Sequence, residues 1–113
     1  MTSQINQNEI DTLINNVGVD DFNKLLNAFF SECNSKLVSM GSNAAKANHD
    51  LLELETHTLK SVSRTFGAIE LGDACSALEQ AACNQDSVYY LPLYENIKTA
   101  SNSAIAELRE KYH

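Results

Sequence analysis

The chain reads as all-α: an antiparallel four-helix bundle with a short additional N-terminal helix. Three observations carry that reading. Apolar residues recur at i, i+3, i+4 and i+7 in one stretch after another. The polar breaks between those stretches are short, so successive helices must fold back on one another to bury their apolar faces. Alternation of period two is absent beyond a few residues at Val88 to Leu91, so no strand competes.

The elements follow in order. A short first helix spans 7–17, with Ile10, Leu13, Ile14 and Val17 as its apolar stripe and Gly18 as its stop. Asp20 or Asp21 then caps the next helix, where free backbone amides welcome a carboxylate. Its stripe is Phe22, Leu25, Leu26, Phe29, Phe30, Cys33, Leu37 and Met40. Gly41 is a possible stop, although glycine inside a helix costs only about 1 kcal/mol against alanine.

A third helix spans 49–65. Asn48 or Asp50 caps it, Asp50 and Glu53 resemble a capping box, and Gly67 allows a sharp turn after it. The fourth, 69–83, buries Leu71, Cys75, Leu78 and Ala82, and Gly72 permits close helix approach. Asn84-Gln85-Asp86-Ser87 is a polar link, and Pro92 sets the start of the last helix, 91–111, near Leu91. Leu93, Tyr94, Ile97, Ser101, Ala104, Ile105 and Leu108 form its inner face.

Composition sets the outer limits. At 113 residues and 43% hydrophobic, without repeats or proline-rich tracts, residues 1–113 are expected to form a single ordered domain with one modest core. A net charge of -7 argues against nucleic acid or an anionic membrane surface as the main partner. Cys33, Cys75 and Cys83 are odd in number and lie within helical patterns, and the head Met1-Thr2-Ser3-Gln4 is polar rather than a signal peptide. Reduced, mostly packed thiols in a cytoplasmic protein are therefore expected. No metal site is expected, since the cysteines lack close pairing and His49 and His57 are eight apart.

The stretch His57-Thr58-Leu59-Lys60-Ser61-Val62-Ser63-Arg64-Thr65-Phe66-Gly67 carries the chemistry. At about 100° per residue, Leu52, Leu59, Ser63 and Phe66 fall opposite His57, with Thr56 at their edge. Glu53, Lys60, Ser61 and Arg64 gather on the histidine's side. The imidazole thus faces water beside an ammonium one turn along. Such a ring is a nitrogen nucleophile near neutral pH, and Lys60 could neutralise phosphoryl oxygens. An exposed histidine near a lysine is more often plain solvated surface; the whole string changes those odds.

His57, Leu59, Lys60, Ser63, Phe66 and Gly67 match a pattern that resembles the signature of the histidine-containing phosphotransfer (HPt) domain family. The run Leu71 to Glu79 is similar to that family's next helix, which often closes in Leu-Glu, and Leu25 to Cys33 is similar to the apolar helix before the motif. The resemblance extends the second helix through Gly41 to about Ala45, giving 20–45, and implies the same bundle fold. Two positions depart from the pattern. Ser61 stands where the family usually has glycine, which narrows partner access, and some stand-alone phosphorelay proteins of quorum-sensing circuits also carry serine there. Val62 stands where serine or alanine is usual.

The resemblance implies a relay. His57 takes a phosphoryl group from a receiver-domain aspartate and passes it to another receiver, between a hybrid sensor kinase and a response regulator. The receiver supplies the acidic pocket and Mg²⁺, so this chain needs no cofactor of its own. No glycine-rich phosphate loop is present, which argues against autonomous use of ATP. Lys60 is the second candidate catalytic residue. Ser61 shapes access, Arg64 could meet phosphate or an acidic rim, and Glu53, one turn before His57, is either an acceptor for the ring or a solvated helix charge. Glu79, at a position where some relatives have Gln, is assigned to structure, and His49 and His113 are incidental. A monomer is expected, since the ring must stay free for docking. The alternatives are a helical adaptor in which His57 carries nothing and a domain of a larger sensor kinase. A hydrolase is the weakest reading, for want of a triad or metal cluster.

Overall fold

The computed structural model describes residues 4–112; Met1, Thr2, Ser3 and His113 lie outside the described residues. Five α-helices follow one another: α1 Gln7–Val17, α2 Val19–Ala45, α3 His49–Thr65, α4 Ile69–Cys83 and α5 Tyr90–Tyr112, the last entered through a 3₁₀ turn at Ser87–Tyr89. Helices α2 to α5 close into a four-helix bundle, each packing on two neighbours (α2 on α3 and α5, α4 on α3 and α5), while α1 lies against α2 and α3. The core between them holds Phe22, Leu26, Leu52, Leu59, Leu78 and Ile97 with almost no exposure. No described helix is long and apolar enough to cross a membrane.

Several ends are built differently from the sequence expectation. Gly18, at φ 86°, stops α1 by donating its N–H to Ile14 O and directly starts α2. Asp20 and Asp21 therefore sit in the first turn of α2 and not at its cap, where their charge still favours the helix dipole. Asn48 precedes α3 but makes no side-chain cap; its amide turns back to Asn43 Oδ1 at 2.9 Å. Asp50 lies inside the first turn, so the expected Asp50–Glu53 box does not form. Helix α5 does begin near Leu91, at Tyr90, with Pro92 in its first turn, where a missing N–H removes no helical bond. Leu25, counted in the apolar stripe of α2, is exposed.

Helix α2 passes straight through Gly41. A side chain there would meet the Tyr94 hydroxyl, which comes across from α5 to donate to Leu37 O at 2.7 Å. The glycine is a seat for that ring. Phe66 anchors the far end of α3, stacked on Phe29 with ring centroids 4.6 Å apart. The buried hydroxyls of Thr56 and Ser63 are satisfied within their own helix, donating to Leu52 O at 2.8 Å and Leu59 O at 2.6 Å.

The N-terminal segment forms a strap that polar composition alone did not reveal. Asn6 donates its N–H to Gly67 O at 2.8 Å, and Ile5 pairs with Ala68 across an antiparallel bridge. Helix α4 has no side-chain cap from Ala68. Instead Gln4 O accepts from Ile69 N–H, Gln4 Oε1 accepts from Leu71 N–H, and Gln4 Nε2 donates to Ala100 O. One buried side chain thus fastens the start of α4 to α5. Gln4→Ala is expected to cost about 1–3 kcal/mol, because it leaves the buried Leu71 N–H of the first turn of α4 unpaired. Urea unfolding measures this; a midpoint unchanged from the parent would show that water replaces the amide without loss.

Candidate functional site

Helix α3 turns Leu52, Thr56, Leu59 and Ser63 into the core and so presents His57 outward. The His57 side chain is 60% exposed, against 18% for Lys60 and 20% for Glu79, so the ring is open while its two neighbours are held. The ring is not free to spin. Its Nδ1 lies 2.8 Å from Glu79 Oε2 on the neighbouring helix α4, and Lys60 Nζ donates to the other oxygen of the same carboxylate at 2.5 Å. One carboxylate bridges the two motif residues.

The protonation states follow from that geometry. Burial pushes the Glu79 carboxyl up, but the hydrogen bonds from Lys60 and His57 outweigh it, and the net shift is downward. Glu79 is therefore ionised and only accepts. The proton on the near edge of the neutral imidazole sits on Nδ1, and the lone pair belongs to Nε2 on the opposite edge. A ring in this tautomer, fixed by a carboxylate and open to solvent, is prepared for nucleophilic attack through Nε2.

The other sequence candidates distribute unevenly. Glu53 borders the same open cleft as Asp50, Leu54, His57 and Glu79. The carboxylate that orients the ring is nevertheless Glu79 and not Glu53, because α4 brings Glu79 onto Nδ1 itself. Ser61 is exposed one turn beyond His57. Arg64 lies two turns, about 10 Å along the axis, beyond His57. There it borders a separate hollow with Asn6, Glu9, Gly67, Ile69 and Asp73, its stem across the face of Gly72. Val62 is half-buried against the core. His49 is part of the frame, with Nδ1 2.6 Å from the hydroxyl of buried Tyr90.

Glu79 is the site residue that sequence reasoning assigned to structure. A signal for it was present: it follows Leu78 and lies one turn beyond Cys75, at the edge of the α4 stripe that must face α3. The thiols divide as their positions require. Burial pushes Cys33 up to about 11 and Cys75 up to about 12, while Cys83 is exposed.

Fold and site together define a helical bundle that displays an oriented histidine on its outer wall. The Hpt domain family matches residues 24–111, and the chain belongs to that family, the histidine phosphotransfer proteins. Among solved structures, histidine-containing phosphotransfer protein B from Pseudomonas aeruginosa PAO1 shares the fold. The TM-score is 0.93 at 18% sequence identity, covering 99% of this chain and 96% of that one. No curated protein matches the chain in sequence.

Proposed function

We propose that this chain accepts a phosphoryl group on His57 Nε2 from the aspartyl phosphate of one receiver domain and delivers it to another. The observation that supports this reading best is the His57 ring, exposed at its lone-pair edge and held at Nδ1 by Glu79. A relay intermediate needs a nucleophile of fixed aim that a partner can reach, and little else of its own. The partner receivers bring the acidic pocket and Mg²⁺, and the chain works as a carrier without kinase activity. In this reading it is a cytoplasmic monomer serving a hybrid sensor kinase and a response regulator. Ser61 favours a place among stand-alone quorum-sensing relays.

Leu54 adds to the docking face. It is 61% exposed and borders the same cleft as His57, an apolar approach from which a receiver can expel water. The direct experiment is incubation with a phosphorylated receiver, followed by a search for acid-labile, base-stable phosphate on this chain. Absence of label with every receiver of the same genome would leave the adaptor reading instead.

Lys60 supplies positive charge one turn from the nucleophile. Lys60→Ala is expected to slow acceptance of the phosphoryl group by roughly 10²-fold, the usual scale for removing one charge-stabilising donor. Circular dichroism should stay unchanged. Equal transfer rates for parent and variant in rapid-quench assays would remove Lys60 from the reaction.

A further inference from the structure

Glu79 does more than hold the ring still. It spends both oxygens, one on Nδ1–H of His57 and one on the Lys60 ammonium, and it reaches them from a different helix, 22 and 19 residues away. An amide would offer one acceptor oxygen and no charge. Resting on the phosphoryl-carrier reading above, we propose that the negative charge of Glu79 keeps the phosphoryl group on His57 labile, making the site a ready donor and not a sink.

The bonding changes show why. In acceptance, the Nε2 lone pair forms the N–P bond while the P–O bond to the receiver's aspartate breaks, its electron pair leaving on the aspartate carboxylate. The ring keeps its Nδ1 proton and becomes positively charged, directly opposite the Glu79 carboxylate. In release, an aspartate oxygen of the second receiver forms the new P–O bond, and the N–P electron pair returns to Nε2. The ring leaves as neutral imidazole with its Nδ1 proton in place. No proton moves in either direction, provided the ring stays protonated at Nδ1 while it carries phosphate. Glu79 holds it so, as the buried aspartate of a serine-protease triad stabilises its imidazolium.

The second hand of Glu79 works in the same direction. Lys60 is already paired, so phosphoryl oxygens must compete with a carboxylate for the ammonium. That competition weakens the grip of the site on its cargo. The other charged groups bordering the ring's cleft are Asp50 and Glu53, both on α3 and both negative. Among the described residues, Glu79 alone bonds to the ring nitrogen.

The test compares the parent with Glu79→Gln, which keeps the size and one acceptor oxygen but drops the charge. Both are loaded with phosphoramidate, a small donor that needs no receiver, and loss of phosphate is followed by ³¹P NMR from pH 5 to pH 9. The variant should release phosphate about tenfold more slowly at pH 7, with its profile moved roughly one pH unit to the acid side. A merely structural role would not move that profile. Superimposable profiles in two equally helical proteins would overturn the proposal, as would a parent that takes no phosphate on His57 from phosphoramidate. A parent that loads from phosphoramidate but from no phosphorylated receiver refutes the relay reading and leaves the role of Glu79 intact.

Discussion

His57→Gln is expected to reduce receiver-dependent labelling to background while the bundle stays folded. The side chain is 60% exposed and contributes nothing to the core, so its removal opens no cavity. Its one polar contact among the described residues is the bond from Nδ1 to Glu79, and a glutamine amide can donate to the same oxygen. What disappears is the aromatic nitrogen lone pair, for which an amide has no substitute. Stability should change by about 0–1 kcal/mol, the scale of an exposed ion pair. Acid-labile label on the variant would move the nucleophile elsewhere, and phosphopeptide mapping would then find it. His49 is poorly suited as a replacement, because its Nδ1 already faces the hydroxyl of buried Tyr90.

Gly67→Ala should produce the largest loss of stability. Gly67 adopts φ 67°, in the left-handed region where side chains are strained. Space is lacking as well: a Cβ would come 2.6 Å from Asn6 O and 3.1 Å from Asn6 N. Those are backbone atoms of the N-terminal strap, and they cannot swing aside like the tip of a flexible side chain. The same strap residue donates to Gly67 O, so relieving the clash breaks that bond and loosens Gln4 from α4. A cost of about 2–4 kcal/mol is expected, lowering the thermal midpoint by roughly 10 °C. Gly67→Asn separates the two causes. Asparagine tolerates the left-handed backbone but still carries a Cβ, so it should fail almost as badly. A fully stable asparagine variant would show that strain, and not the close approach of the strap, accounts for the loss.

What was legible in the chain was what depends on period. The apolar series of α2, α4 and α5 and the opposition of Leu52, Leu59 and Ser63 to His57 are properties of single helices. They were sufficient for the bundle and for which way the motif histidine points. Contacts made across the fold were not legible. Glu79 meets His57 only because α4 packs antiparallel on α3 at one register, and sequence spacing carries no information about that register. Glu53 was the nearer candidate along the chain and the wrong one for holding the ring. Gln4 was read as part of a polar head, yet it is buried because two helices offer it a donor and an acceptor at once. The caps failed for a related reason. Gly18 and Asn48 are engaged with neighbouring turns, so local preferences at Asp20, Asp21 and Asp50 did not decide the helix starts.

The division among the three sulfur atoms has a practical use. Two are sealed in the interior, while Cys83 opens onto a hollow it shares with Lys60 and Glu79. A maleimide dye would therefore couple at one place without any engineered mutation, close to the Lys60–Glu79 pair. Its emission would report a docking receiver in real time, including encounters in which no phosphate changes hands.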